Sequence, residues 1–268
     1  MIYEGKRALV TGASAGIGEA FAEALAGKGA DLVLTARRGE RLNRLAAKLK
    51  EKYGTDAIVV EADLSKPDAP EKIAGAIAGA KVDILVNNAG FGLPGSFEES
   101  TWETHRDFIE LMATSYAHLV RIFLPGMQAR GYGRIINVAS LAGIAPSGAG
   151  HTLYGATKAF LIAFSQALAA ENASRDLKVS ALCPGFTYSE FHDVNNMRGV
   201  VNKLPKYMFM EARPVVEGAL EALETRRVVY VPGLWNKFVV FLMRALPLPI
   251  ATRLAAGQAR RFRQAAGD

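Results

Sequence analysis

Short apolar segments alternate with longer amphipathic segments along most of this chain, and this alternation restricts the possible folds more than any other feature. Strand-like segments lie at residues 7–10, 31–35, 57–61, 82–86, 134–138, 178–182 and 228–231. Helix-like segments lie between them at residues 16–28, 40–53, 70–78, 102–130, 153–174 and 215–224. Apolar strands joined by helices are typical of a parallel sheet covered on both faces. The sequence therefore predicts an α/β fold with a doubly wound parallel sheet, whose ligand site lies at the carboxyl ends of the strands.

The composition is that of an ordinary globular protein, since 50% of the 268 residues are hydrophobic and 22% are charged. No internal repeat occurs, so we predict one domain over residues 1–232 and a basic amphipathic extension over residues 233–268. Cys183 is the only cysteine, which excludes an intrachain disulfide and favours a reducing compartment. No signal-peptide pattern precedes the first strand, and we expect a cytoplasmic protein.

The net charge of +6 is concentrated near the C-terminus. From residue 237 onward the charged residues are Lys237, Arg244, Arg253, Arg260, Arg261, Arg263 and Asp268. This segment carries +5, so the rest of the chain is nearly neutral and we expect no nucleic-acid partner. The apolar run 238–243 is too short to cross a bilayer. It is either an interfacial helix on an anionic membrane or a segment that packs over a ligand cleft or a second subunit.

Residues 186–214 break the alternation directly after a strand. The apolar residues of this segment include Tyr188, Phe191, Met197, Tyr207, Met208, Phe209 and Met210. We interpret the segment as a flexible apolar flap over a bound molecule; the alternative is an irregular packing loop.

A glycine-rich turn, Thr-Gly-Ala-Ser-Ala-Gly-Ile-Gly at residues 11–18, joins the first predicted strand to the first predicted helix. Glycines permit a close approach of the backbone, and a helix N-terminus offers unpaired N–H groups to a diphosphate. The first two glycines are four residues apart, unlike those of the G-x-G-x-x-G fingerprint. The residues that we expect to bind a dinucleotide here are Gly12, Ser14, Gly16, Ile17 and Gly18.

The end of the second predicted strand indicates which dinucleotide the chain prefers. An acidic residue there hydrogen-bonds the adenosine ribose and favours NAD. This chain instead has Ala36, Arg37 and Arg38, and the arginines suit a 2′-phosphate, so we expect NADP(H). The alternative is that both arginines are solvated charges at a helix start. Asp63 is expected either to accept a hydrogen bond from the adenine amine or to cap the next turn.

Tyr154 and Lys158 are four residues apart, which puts both side chains on one face of a helix. A phenol has a reference pKa of about 10. A nearby ammonium stabilises the phenolate and lowers this pKa toward neutrality, where proton transfer is efficient. The pair is weak evidence on its own, but Ser140 and the motif Asn87-Asn88-Ala89-Gly90 accompany it.

Together these motifs resemble the short-chain dehydrogenase/reductase family over residues 5–232. The matching pieces are the turn at 11–18, Asp63-Leu64, Asn87-Asn88-Ala89-Gly90, Ser140, Tyr154-x-x-x-Lys158 and Pro184-Gly185. The resemblance implies a single Rossmann-like domain in a homo-oligomer that interconverts an alcohol and a carbonyl compound with NAD(P).

The resemblance also implies roles for individual residues. Tyr154 is the implied general acid in reduction and base in oxidation, and Ser140 polarises the substrate carbonyl. Lys158 is implied to lower the pKa of Tyr154 and to bind the nicotinamide ribose. Further cofactor contacts are implied for Leu64, Asn87, Ala89, Gly90, Tyr154, Pro184, Gly185 and Thr187, with Ser189 as the alternative to Thr187.

The chain departs from the family pattern in its long fourth helix. Many members carry there an Asn that holds a water in a proton relay, and this position falls at Met112, or else at Ala113 or Thr114. A thioether cannot replace the amide donor. Either Thr114 or Ser115 substitutes for it, or catalysis depends on three residues.

A second departure is the spacing from Ser140 to Tyr154, which is one residue longer than is common in the family. The Gly- and Ser-rich loop 145–151 absorbs this residue at little cost. His151 in this loop is interpreted as a residue near the substrate without a direct role. The other histidines, His105, His118 and His192, show no metal-ligand spacing, so we expect no metal.

The sequence thus favours an NADP(H)-dependent carbonyl reductase or alcohol dehydrogenase of small apolar substrates. A 3-oxoacyl or hydroxysteroid reductase is the first alternative, because the apolar flap suits an acyl chain or a ring system. A non-catalytic NADP(H)-binding sensor or scaffold is the second. Met112 favours this last hypothesis, whereas the intact Ser140, Tyr154 and Lys158 count against it.

Overall fold

The computed structural model describes residues 1–93, 95–146, 152–188, 205–247 and 249–253. The strands within them are β1 (Arg7–Thr11), β2 (Asp31–Ala36), β3 (Ala57–Glu61), β4 (Ile84–Asn87), β5 (Tyr132–Val138), β6 (Asp176–Leu182), β7 (Phe186–Thr187), β8 (Phe209–Met210) and β9 (Val229–Tyr230). The α-helices are α1 (Gly16–Gly27), α2 (Gly39–Tyr53), α3 (Ala69–Ala76), α4 (Trp102–Ile109), α5 (Ser115–Ala129), α6 (Thr152–Glu171), α7 (Ala212–Glu224) and α8 (Leu234–Ala245). Short 3₁₀ turns occupy Phe97–Glu99, Leu141–Gly143 and Lys206–Met208.

Seven strands form one parallel sheet in the order β3-β2-β1-β4-β5-β6-β9. The strand order reverses between β1 and β4, and doubly wound sheets bind their ligands at the carboxyl ends of strands at such a point. The prediction of a doubly wound parallel sheet in a Rossmann-like domain is confirmed. The predicted strands differ from the observed ones by at most two residues at either end.

Both faces of the sheet are covered because its strands are apolar on both sides. In β1, Ala8 and Val10 pack into a cluster with α1, α2 and α7, whereas Leu9 packs into a second cluster with α3, α5 and α6. This alternation follows from the two-residue repeat of a strand. By length and composition α6 could also cross a membrane, but it buries Leu161 and Leu168 in the interior, and core helices pass the same test.

The single helix predicted over residues 102–130 is interrupted in the structure. A π-helical turn, Glu110–Thr114, separates α4 from α5 and contains Met112. An isolated π-turn often occurs at functional sites. No proline or glycine marks it in the sequence, and Pro125, which does lie within the helix, is a full three turns further along α5.

The two ends of the predicted flap are held together. β7 pairs with β8 in parallel, and the ring of Tyr188 stacks on that of Phe209 with centroids 5.0 Å apart. The tip of the flap, including Ser189, Phe191 and Met197, lies outside the described residues, as do residues 254–268 of the predicted extension.

Candidate active site

The glycine-rich turn packs tightly against the end of β4. Gly12 and Gly16 have φ angles of +66° and +59°, a region that favours glycine. A Cβ on Gly12 would lie 2.8 Å from the Cα of Ala89, and one on Gly18 would collide with the carbonyl oxygen of Gly12. Any larger residue would therefore push the turn away from β4.

Thr11 joins this turn to the segment after β4. Its hydroxyl accepts hydrogen bonds from the backbone N–H groups of Asn88 (2.8 Å) and Ala89 (3.0 Å) and donates to the carbonyl of Val86 at 3.3 Å. In return, Asn88 Nδ2 donates to the carbonyl of Thr11 at 2.9 Å. The sequence analysis missed both residues, although Asn88 stands inside the Asn-Asn-Ala-Gly motif.

Replacing Thr11 with Val should therefore destabilise the protein. The variant keeps the shape of the side chain but leaves two half-buried N–H groups without their acceptor, so we expect the free energy of unfolding to fall by about 1–3 kcal/mol. Thr11→Ser keeps the hydroxyl and is the matched control. Urea unfolding followed by fluorescence measures both, and equal midpoints for the two variants would contradict the assignment.

The turn has the chemistry of a diphosphate site. Ala15, the N-cap residue of α1, has no side-chain oxygen to occupy the first-turn N–H groups. The backbone of Gly16, Ile17 and Gly18 is thus available to an anion at the positive end of the helix dipole. The residues present fit the dinucleotide that the sequence predicts.

Ser14 also belongs to the region of the predicted 2′-phosphate. Arg38 donates from Nε and Nη2 to Ser14 Oγ, at 3.2 and 2.9 Å, and both Arg37 and Arg38 are exposed. A Cβ on Gly39 would collide with the carboxylate of Glu61, so an acid that the sequence analysis missed lies at the start of α2. Arg38 and Glu61 therefore bring one cation and one anion to the start of α2, and the exposed Arg37 precedes Arg38 in the chain.

Asp63 caps a turn, as one of its two predicted roles required. Its Oδ1 accepts from the backbone N–H of Ser65 at 3.1 Å and from Ser65 Oγ at 2.9 Å. The neighbouring Leu64 is buried. The hydrogen bond from adenine to Asp63 and the cofactor contact of Leu64 stay predictions.

Asn87 is fully buried and ties β4 to its neighbours. Its Nδ2 donates to Asn137 Oδ1 at 2.9 Å and to the carbonyl of Tyr116 at 3.3 Å. Asn137 in turn donates to Ser165 Oγ on α6. The amide nitrogen of Asn87 is thus engaged within the core, whereas its Oδ1 is buried without a hydrogen-bond partner among the described residues.

Met112 lies directly beneath the Ala89-Gly90 segment, because a Cβ on Gly90 would come within 2.8 Å of its sulfur. Ser115 Oγ donates to the carbonyl of Leu111 at 2.9 Å, and the hydroxyl of Thr114 hydrogen-bonds Glu110. Both hydroxyls are thus engaged within their own helical turns, which favours the three-residue alternative.

Tyr116 is a further residue of this region that the sequence analysis missed. Its phenolic O–H donates to the carbonyl of Ala89 at 2.8 Å, and its ring centroid lies 5.8 Å from Lys158 Nζ. Tyr116 is four residues after Met112 and so lies on the same face of the helix, which is the signal that could have identified it.

Ser140 and Tyr154 come together where β5 ends and α6 begins. The Ser140 hydroxyl accepts a hydrogen bond from the backbone N–H of Ala142 at 3.2 Å and also hydrogen-bonds Tyr154. Gly143 permits this approach, because a Cβ there would lie 2.5 Å from the carbonyl carbon of Lys158. Residues 147–151, with the extra loop residue and His151, lie outside the described part of the chain.

Lys158 is buried one turn further along α6. Its Nζ donates to the carbonyl of Val138 at 2.8 Å and lies 5.7 Å from the centroid of the Tyr154 ring. Burial lowers the pKa of Lys158 to about 7. Burial raises the pKa of Tyr154, and the hydrogen bond from Ser140 lowers it. The site therefore holds a phenol and an ammonium that readily loses its proton.

The segment after β6 closes the site from the other side. The carbonyl of Pro184 accepts from the backbone N–H of Leu141 at 3.0 Å, which links it to the Ser140 turn. Thr187 is buried, and its hydroxyl donates to the carbonyl of Gly185 at 3.3 Å. A Cβ on Gly185 would collide with Asn236, so α8 packs directly against this segment.

Two other sequence interpretations concern metals and the thiol. Among the described residues, no group of three or more His, Cys, Asp or Glu could hold a metal ion. His118 pairs with Glu71 and His105 Nε2 lies 2.7 Å from the carbonyl of Phe97, while His192 lies outside the described ranges. Cys183 is buried, and burial raises the pKa of its thiol to about 12, so the thiol is protonated at neutral pH.

Comparisons with known proteins agree with this geometry. A family model for short chain dehydrogenases matches residues 6–198. The chain is 36% identical over 184 residues to a very-long-chain 3-oxoacyl-CoA reductase of Mus musculus, a match that covers 67% of this chain and only 59% of the mouse protein.

Solved structures give a similar result. A short-chain dehydrogenase from Sphingobium yanoikuyae in complex with NADPH is 34% identical and superimposes with a TM-score of 0.79, over 90% of this chain and 96% of that chain. A 7β-hydroxysteroid dehydrogenase is 28% identical, with a TM-score of 0.85 over 94% of this chain and 97% of that chain. Similar structures contain NADPH in some cases and NAD in others.

Proposed function

The chain belongs to the short-chain dehydrogenase family, and from this membership we propose that it is an oxidoreductase that transfers a hydride between NADP(H) and an apolar alcohol or ketone. The observation that carries the proposal is the convergence of Ser140, Tyr154 and Lys158 at the carboxyl end of β5, beside the glycine-rich turn. When bound, the dinucleotide supplies or accepts the hydride.

Each of the three side chains has its own role in the proposed reaction. In reduction, Tyr154 gives its phenolic proton to the substrate oxygen, and in oxidation its phenolate takes that proton back. The Ser140 hydroxyl donates to the same oxygen and stabilises the charge that develops on it. Lys158 in its ammonium form stabilises the phenolate.

A direct assay tests this proposal. Consumption of NADPH is followed by absorbance with three carbonyl classes: simple apolar ketones, a 3-oxoacyl thioester and a ketosteroid. Turnover of any of them supports an enzyme. Tight binding of NADPH without turnover of any of them would instead favour the non-catalytic sensor or scaffold.

A 3-oxoacyl or hydroxysteroid reductase is the second candidate. It is favoured by the similarity to the mouse 3-oxoacyl-CoA reductase and to the 7β-hydroxysteroid dehydrogenase. The aromatic pairs at the base of the flap, Phe186–Phe209 and Tyr188–Phe209, offer an apolar wall to an acyl chain or a ring system. The kcat/KM ratio among the three carbonyl classes discriminates between the candidates.

The proposed function also includes a cytoplasmic location and a homo-oligomeric state of the protein.

The choice of NADP(H) is supported by Arg37 and Arg38. Replacing Arg37 with Asp puts an acid beside the expected 2′-phosphate. We therefore expect the ratio of the dissociation constants for NADPH and NADH to rise at least about tenfold, because one close charge pair is lost. Arg44→Asp, on the exposed face of α2, makes the same change in net charge and is the control. Cofactor fluorescence titrations measure both. An unchanged ratio in Arg37→Asp would contradict the NADP(H) assignment.

A further inference from the structure

Helix α8 presents an apolar face that nothing in the described part of the chain covers. Leu234, Phe238 and Phe241 are 84%, 54% and 69% exposed and follow one another at spacings of four and three residues. This spacing places them in one stripe along the helix. Trp235 and, in the next segment, Ile250 are also exposed.

The orientation of this stripe is set by the opposite side of α8. Asn236 is buried, donates from Nδ2 to the carbonyl of Pro232 at 2.8 Å and contacts Gly185. The ring of Trp235 meets that of Tyr207 edge-on, with centroids 5.1 Å apart. The helix is therefore anchored to the domain by one face, and the apolar stripe points outward.

The charges next to the stripe have a single sign. Lys237 and Arg244 are exposed, are seven residues apart and follow one edge of the stripe. Between residues 234 and 253 the sequence has no Asp or Glu, and Arg253 adds a third cation. The sequence of residues 254–268 adds three arginines against Asp268.

We propose that α8 is a docking helix for anionic lipid surfaces. A helix of 12 residues is too short to span a bilayer, but an apolar stripe edged by cations is suited to lie in the plane of the interface. Tryptophan and tyrosine favour the headgroup level, where Trp235 and Tyr207 would lie. Lipid phosphates complement the row of cations.

Charge complementarity favours lipid over the other possible occupants. In a two-fold dimer through α8, each stripe would meet a second stripe with the same cations and without a facing acid. The C-terminal segment 254–268 is itself basic, so it would be repelled by Lys237 and Arg244. A negatively charged bilayer has neither disadvantage.

Docking would also orient the active site. Because Asn236 contacts Gly185, the side of the domain that carries Pro184 and Gly185 would lie close to the lipid surface. An apolar substrate dissolved in the bilayer would then be near the site; this consequence rests on the proposed function, whereas docking itself does not.

Vesicle flotation of the full chain tests the proposal without any activity measurement. We expect binding to vesicles with about 30% phosphatidylglycerol in phosphatidylcholine and weak binding to phosphatidylcholine alone. Binding to the anionic vesicles should be lost in about 0.5 M salt, because salt screens the attraction between surface charges. Phe241→Asp should weaken binding about tenfold or more, since it removes a large apolar contact and adds an acid. Phe160→Asp, at an exposed aromatic of α6, is the matched control.

A second variant separates charge from apolar contact. Lys237→Glu together with Arg244→Glu should reduce binding to the anionic vesicles and leave the weak binding to neutral ones unchanged. Circular dichroism confirms that each variant is folded. Absence of vesicle binding would overturn the proposal, and so would equal binding by Phe241→Asp and wild type. Light scattering that shows a dimer lost in Phe241→Asp, without lipid binding, would assign the face to a second copy and also overturn it.

Discussion

Replacing Tyr154 with Phe is expected to lower kcat by about 10²–10⁴-fold, the contribution of a positioned general acid or base. The change removes one oxygen and leaves the ring in place. The phenolic hydroxyl is the group of this site that can exchange a proton with a substrate oxygen, and the hydrogen bond from Ser140 directs it. The dissociation constant for NADPH should change little, because the glycine-rich turn and the arginines that we propose to bind it are untouched.

The control for this experiment is Tyr116→Phe, which removes the same atom from a neighbouring ring. Its hydroxyl contacts the carbonyl of Ala89 and no proposed reacting group, so we expect a smaller loss of activity with a change in cofactor affinity. Steady-state and stopped-flow assays with the best carbonyl substrate give kcat and the affinity for NADPH. Equal kcat values for Tyr154→Phe and wild type would exclude Tyr154 as the proton donor.

The fold could be predicted because its evidence is local. Each strand is a short apolar run and each helix carries an apolar stripe, so their bounds can be read residue by residue. A parallel sheet covered on both faces is the arrangement that buries such strands, as the packing of Ala8, Leu9 and Val10 on opposite sides shows. The spacing of Tyr154 and Lys158 predicts that they share a helix face, whereas the role of Ser140 is implied by the family resemblance.

The rest of the site depends on contacts between residues far apart in the chain. Thr11 reaches Asn88 and Ala89 across two strands, and Gly185 meets Asn236 of α8. Such partners have no spacing that a sequence could reveal. The π-turn around Met112 likewise has no local signal, because its residues Glu-Leu-Met-Ala-Thr are ordinary helix residues.

The surroundings of Lys158 show why its residue type alone does not predict its protonation state. The sequence predicts a nearby ammonium that lowers the pKa of Tyr154. In the structure burial brings the pKa of Lys158 itself down to about 7. The stabilisation of the Tyr154 phenolate is then present below pH 7 and is lost as the pH rises through that value. Such a lysine is costly to bury, which supports its proposed role in the reaction.

Replacing Lys158 with Met should therefore abolish most activity and at the same time stabilise the fold at neutral pH. The folded chain disfavours the ammonium, so burying it costs several kcal/mol, on the order of 1.4 kcal/mol per pKa unit. Removing the ammonium removes this cost. The substitution also leaves the carbonyl of Val138 without its hydrogen-bond donor, which costs about 1–3 kcal/mol. A net gain of about 2–4 kcal/mol corresponds to a Tm rise of about 4–16 °C for a chain of this size.

The pH dependence of the Tm difference between variant and wild type shows whether the stabilisation comes from removing a buried cation or from better packing. Between pH 7 and the usual lysine pKa of 10.5, the unfolded chain holds a proton on Lys158 that the folded chain has released. Wild-type stability therefore gains from this residue as the pH rises through that window, whereas Lys158→Met gains nothing. The Tm advantage of the variant should be largest at and below pH 7 and should shrink by pH 9.5, while the exposed Lys81→Met control should show neither effect. An advantage that is constant with pH would mean that the methionine packs better and that Lys158 is not a buried, destabilised cation.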